Sequence, residues 1–170
     1  GSGANVDIIL FNIGTVHNIR GNSSTTFLEA FWNEFNKLRG YNGFNISLAQ
    51  HLEKVLDEKG KFDEFKARFA DMGGNWETQA QEIATTEIDL IMDIAKELVP
   101  TLSTDIIRER IAKDNTTISV ETFCNEIKQH TEKKGSNYRL IFLVDEVSQF
   151  IESNKGLLLQ LQEVVTNLYN

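Results

Sequence analysis

Two short apolar runs constrain this chain more than any other feature. Residues 6–13 read Val-Asp-Ile-Ile-Leu-Phe-Asn-Ile, and residues 139–144 read Arg-Leu-Ile-Phe-Leu-Val. Each is bounded by polar or Gly positions, as expected of a strand buried on both faces of a sheet. More than a hundred residues separate them, and that stretch has helical periodicity with almost no strand character. If the two strands are parallel neighbours, the intervening segment is one oversized right-handed crossover, far longer than the dozen or so residues that a crossover minimally requires.

The helical segments follow from apolar spacing and stop signals. Ser23 or Ser24 can cap a helix with Phe27, Phe31, Phe35 and Leu38 on one face, closed by Gly40. Leu48, Leu52, Val55 and Leu56 mark a second helix that ends at Gly60, and Phe62, Phe65, Phe69 and Met72 a third that ends at Gly73-Gly74. Asn75 is expected to cap one long helix through Ala80, Ile83, Glu87, Leu90, Ile91, Ile94 and Leu98 to the single proline, Pro100. Ser103 caps a helix carrying Ile106, Ile107 and Ile111. Ser119 caps another with Val120, Phe123 and Ile127, which ends in Lys133-Lys134-Gly135, where basic residues complement the helix dipole. Residues 156–165 form a final helix.

The expected fold is therefore α/β but predominantly α: two parallel strands with a large all-helical insertion between them. Residues 1–4, Gly-Ser-Gly-Ala, resemble a cloning linker and are set aside. Residues 5–22 and 136–170 form the strand-bearing core, and 23–135 the helical insertion.

A formal charge of -8 argues against a nucleic-acid backbone as the main partner, because that affinity rests on a dense field of Lys and Arg. Only Lys128, Lys133, Lys134 and Arg139 cluster, as a solvated helix end would. The single cysteine, Cys124, excludes an intramolecular disulfide and fits a reducing compartment. No apolar run approaches the roughly 18 residues of a spanning helix, so the expected location is cytoplasmic with no membrane contact.

The one constellation with a mechanism behind it is Asp145-Glu146, at the carboxyl end of the second apolar run. Ligands of open α/β sheets bind beyond the carboxyl ends of strands, and two adjacent carboxylates there can divide labour. Asp145 would hold the water shell of Mg²⁺, and Glu146 would act as the catalytic base that polarises the attacking water. Ser148 and Gln149 are accessory candidates for hydrogen bonds to a nucleotide or a neighbouring subunit. Taken alone, the same residues also describe a turn carboxylate, a solvated Glu and a polar turn.

A phosphate-binding loop requires Gly-x-x-x-x-Gly-Lys-[Ser/Thr]. The only Gly-Lys here, Gly60-Lys61, is followed by Phe62. Gly21-Asn22-Ser23-Ser24 offers amides at a helix start without the lysine, so ordinary capping is the better reading. His17, His51 and His130 lack metal spacing, Cys124 has no evident base, and no Ser sits in a Gly-x-Ser-x-Gly elbow.

Several blocks in order resemble a known family. They are Leu10-Phe11-Asn12-Ile13, then Phe31-Trp32-Asn33-Glu34-Phe35-Asn36-Lys37-Leu38-Arg39-Gly40-Tyr41, then Leu56-Asp57-Glu58-Lys59-Gly60-Lys61-Phe62. The strongest runs from Arg139 through Leu143-Val144-Asp145-Glu146-Val147-Ser148-Gln149-Phe150-Ile151 and is followed by Leu157-Leu158-Leu159-Gln160-Leu161-Gln162. In order and spacing they resemble the BrxC (PglY-like) P-loop ATPases of bacterial BREX antiphage defence systems.

That resemblance implies an internal piece of an AAA+-type ATPase domain. A Walker A loop would precede the first strand, Asp145 and Glu146 would be the Walker B pair, and the sensor region and any arginine finger would lie beyond Asn170. The family often has Gly where Ser148 stands here. The implied cofactors are Mg²⁺ and ATP in the parent protein, with none bound to the isolated piece, which is not expected to hydrolyse ATP alone. The implied partners are other subunits of the same ATPase and other BREX components, without direct DNA contact from this segment. Bare strands lacking their sheet neighbours also lead to an expectation of self-association. The alternative is a helical protein-protein interaction module without nucleotide chemistry.

Overall fold

The computed structural model describes residues 5–12, 24–113, 118–145 and 155–169. In chain order the elements are strand β1 (Asn5–Asn12), helix α1 (Ser24–Leu38), helix α2 (46–58), α3 (Phe62–Asp71), α4 (Trp76–Thr86), α5 (Ile88–Leu98), α6 (Thr104–Lys113), α7 (Val120–Lys134), strand β2 (Tyr138–Asp145) and α8 (Lys155–Tyr169). The fold is predominantly helical with a small two-stranded sheet. The strands are parallel neighbours in the register Asn5↔Tyr138 to Asn12↔Asp145. Everything between them is the crossover.

By contacts the chain forms two compact units, Gly1–Phe35 with Thr117–Asn170, and Asn36–Thr116. These limits differ from the sequence-based division at 22/23 and 135/136. Most of α1 and all of α7 belong with the strands, because their aromatic faces cover the sheet. Phe31 stacks on Phe11 at 4.4 Å and lies 5.6 Å from Phe142, while Phe123 lies 6.4 Å from Phe142. Ile9, Phe11, Phe31, Trp32, Phe35, Phe123 and Tyr138 are buried there.

The other face of the sheet is open, contrary to the expectation of strands buried on both sides. Val6, Ile8, Leu10, Ile141 and Leu143 are 43–69% exposed. Apolar residues on both sides of a strand signal that both sides are made to be covered, and only one has a cover among the described residues.

The helical unit, 36–116, has a core of its own. Leu48, Leu52, Leu56, Phe65, Ile91 and Ala95 have no exposed surface, and Trp76 packs edge-on against Phe65 and Phe69 at 4.9 and 5.8 Å. Gly40, Gly60 and Gly73 end α1, α2 and α3 at positive φ. In each case the glycine amide bonds three residues back and the next amide bonds five back, for example Gly40 N to Lys37 O and Tyr41 N to Asn36 O. This double bond satisfies the last carbonyls of the helix and needs a residue that tolerates the left-handed conformation.

Two departures from the expected helices have local causes. The single helix expected from Asn75 to Pro100 breaks at Glu87, whose φ of -134° lies outside the helical region. Thr85 and Thr86 precede the break and donate their hydroxyls to Gln81 O and Glu82 O. Such back-bonding and β-branching weaken a helix and favour bending, and the break lets α4 and α5 pack against each other. Second, Asn75 provides no side-chain cap. Gln79 Oε1, one turn into the helix, instead reaches back to accept from Asn75 N at 2.7 Å. Ser119 does cap α7 as expected, with Thr122 completing a capping box.

Helix α2 contains a π-helical stretch, Ala49–Glu53, between α-helical Ile46–Leu48 and Lys54–Glu58. The wider turn brings Glu53 inward, and it is 1% exposed.

Candidate functional site

The carboxyl ends of the two strands meet at Asn12 and Asp145, which are register partners. Strand alternation puts positions 12 and 145 on the same open face as Ile8, Leu10, Ile141 and Leu143. Positions 12 and 145 are therefore neighbours at the carboxyl end of a parallel sheet, the end beyond which ligands of open α/β sheets bind. Asn12 was missed in the sequence reading. It lies within Leu10-Phe11-Asn12-Ile13, and only the register ties it to Asp145.

Glu146, Ser148 and Gln149 lie outside the described residues, as do His17, Ser23 and Gly21. Among the described residues no group of three or more His, Cys, Asp and Glu side chains could hold a metal ion. The other two histidines have separate surroundings. Burial holds the His51 imidazole below its ordinary pKa, with Arg110 adding to the effect. His130 contacts Tyr138, as described next. Burial pushes the Cys124 thiol up, which disfavours the thiolate and suits its packing against Val164 O.

A chain of polar groups ties the sheet together at its amino end. Tyr138 of β2 donates its hydroxyl to Asp7 Oδ2 of β1 at 2.9 Å, and His130 Nε2 of α7 lies 3.2 Å from the same hydroxyl. Burial first, and then the bond to Asp7, raises the Tyr138 phenol above its ordinary range. The phenol stays protonated and serves as a fixed donor. These contacts hold the strands in the register that sets Asn12 beside Asp145.

The helical unit has its own polar centre. Glu53 Oε2 accepts from Asn42 N at 2.7 Å, and Oε1 accepts from Trp76 Nε1 at 3.0 Å. Burial raises the Glu53 carboxyl, and the hydrogen bonds pull the other way. Nearby, Tyr41 donates to Asp57 Oδ2 at 2.6 Å, and burial with that bond raises the phenol. These bonds pin the segment after α1 and the start of α4 onto α2, a structural task rather than a reactive one.

Compared with known proteins, the chain matches no family model and no solved structure. Among the described residues no helix is long and apolar enough to cross a membrane.

Proposed function

We propose that the chain is a segment of a P-loop ATPase of the AAA+ type, resembling the BrxC (PglY-like) ATPases of BREX antiphage defence, and that Asp145-Glu146 is its Walker B pair. The observation that carries this reading is the position of Asp145. It ends a strand that pairs in parallel with β1, at the carboxyl edge of the sheet, after an apolar run of Walker B character. Asp145 would hold the hydrated Mg²⁺ of bound ATP, and Glu146 would position and polarise the attacking water. Asn12 is the neighbour of Asp145 across the register. Ser148 and Gln149 are accessory contacts to nucleotide or subunit.

The sequence contains no Walker A loop, so most of the binding energy for phosphate is missing and the chain by itself does not hydrolyse ATP. Its partners are then other subunits of the ATPase and other BREX components, in the cytoplasm. The self-contained core of residues 36–116 favours a second role beside the first, that of a docking module on the ATPase.

Calorimetry with Mg²⁺ and ATP tests the reading on this chain and on a version extended upstream through a Walker A loop of the parent gene. Binding by the extended version alone is the expected result. In that version Glu146→Gln lowers turnover at least a hundredfold and leaves ATP binding intact, as expected for a general base worth about 10² to 10⁴ in rate. If neither version binds ATP, the Walker B assignment fails and the docking module becomes the function.

A further inference from the structure

The open face of the sheet is complementary to itself. Strand alternation and the register place Val6, Ile8, Leu10 and Asn12 of β1 on that face beside positions 139, 141, 143 and 145 of β2. Its five apolar residues, Val6, Ile8, Leu10, Ile141 and Leu143, are 43–69% exposed. Position 139, at the amino end, is an arginine, and position 145, at the carboxyl end, is an aspartate. We propose that this face docks a second copy of the chain, the two sheets stacked face to face with their strands antiparallel.

Symmetry names the occupant. Ile9 and Phe142 are register partners at the middle of the two strands. A two-fold axis crossing the strands at that point exchanges position 139 with 145, 141 with 143, and 8 with 10, so one axis serves both strands. Each Arg139 stands over position 145 of the other copy, Ile141 over Leu143, and Ile8 over Leu10. Opposite charges meet at both ends, and aliphatic side chains fill the middle. Only the pairing of Val6 with Asn12 sets an apolar residue against a polar one. A positive and a negative residue at the two ends of one strand match a copy turned end for end, which is the self-complementarity that a two-fold interface requires. Arg139 Nη1 donates to Ser136 O and Tyr138 O at 2.9 Å, which holds the guanidinium at the amino end of the sheet. Five part-exposed apolar side chains with charged ends fall short of the roughly 800 Å² that each partner gives to a standard interface, so the dimer belongs to the weak, transient class. It follows from the strand register and not from the ATPase reading, and it needs no nucleotide.

Sedimentation velocity of the whole chain from about 10 µM to about 1 mM spans the affinities of such a contact. A monomer-dimer equilibrium without larger species is expected, because one partner uses up a two-fold interface. Arg139→Asp sets like charges against each other at both ends and should weaken the dimer about tenfold or more. Asp145→Arg should do the same, and the two changes in one chain restore opposite charges and should bring the dimer back. A second measurement leaves both charges in place. Val6→Cys chains mixed with Asn12→Cys chains should be joined by a bismaleimide with a reach of about 10 Å, the spacing of stacked sheets, whereas Val6→Cys chains alone should not, because their cysteines lie about 20 Å apart along the strands. Cys124, 2% exposed, does not compete for the reagent. The inference is overturned by a chain that stays monomeric at the highest concentration, by association that continues past the dimer, by folded charge-reversal variants that associate as the parent does, by a folded double variant that does not regain the dimer, or by Val6→Cys chains that join to one another as readily as to Asn12→Cys chains.

Discussion

Replacing Trp76 by Phe should expose how the helical unit is tied together. The indole Nε1–H of Trp76 is a hydrogen-bond donor to the buried Glu53 carboxylate, and phenylalanine has none. A hydrogen bond to a charged group contributes about 1.5–3 kcal/mol. The smaller ring also leaves part of the site between Phe65 and Phe69 empty, which adds roughly 1 kcal/mol by the transfer value of a methylene or so. The expected loss is about 2.5–4 kcal/mol near neutral pH.

The pH dependence separates these two causes. Glu53 is already raised above 4.5 in the folded protein by burial, so the folded state holds this proton more tightly than the unfolded one. Its contribution to stability therefore rises as pH falls through the folded pKa towards 4.5, and is constant above that pKa. Removing the indole removes a bond that lowers the pKa, so it rises further. The penalty of Trp76→Phe should be larger above the folded pKa of Glu53 than below it, where the indole bonds a neutral carboxyl and the bond is worth less. Urea titration followed by far-UV ellipticity gives the free energies, and amide exchange at Leu48, Leu52 and Leu56 reports the helical unit specifically. A penalty that is the same above and below that pKa, or below about 1 kcal/mol throughout, would refute the coupling of Trp76 to an ionised Glu53.

Three further outcomes are expected. Phe123→Ala removes a fully buried ring that meets Phe31, Trp32, Phe35 and Phe142, and thermal melts should show a loss of about 3–5 kcal/mol in the strand-bearing unit. Gly74→Ala drives a methyl into the Phe69 ring, so Phe69 must shift, and chemical denaturation should show a loss of about 1–3 kcal/mol. Leu10→Glu puts a charge on a position that is 69% exposed. It should change stability by less than about 0.5 kcal/mol while lowering self-association of the chain in sedimentation velocity, and an unchanged distribution would show that the open sheet face is not what associates.

How far the sequence could be read differed from element to element. Both strands were visible as apolar runs, and the glycine stops after α1, α2 and α3 were visible because only one residue type suits those positions. The break at Glu87 was not, since Thr85 and Thr86 are compatible with a helix until their hydroxyls are seen on Gln81 and Glu82. The open face was hidden by the same apolar pattern that revealed the strands, because periodicity cannot say whether a cover is present. In the site, Asp145 stood out as a carboxylate after an apolar run. Asn12 did not, because its meaning depends on a partner more than a hundred residues away. The Asp7–Tyr138–His130 chain and the Glu53–Trp76 bond escaped for the same reason, with sequence separations of 131 and 23 residues for their direct bonds.

That separation bears on the order of assembly. Helices α2 to α6 meet neighbours close in sequence and can form quickly, whereas β1 and β2 must close a loop of more than a hundred residues before a single ladder bond rewards them. The helical unit is thus expected to be structured while the strands are still apart. The end of the sheet where Asn12 and Asp145 are register partners is completed last, so a chain stalled in folding would have a sound helical core beside two unpaired strands.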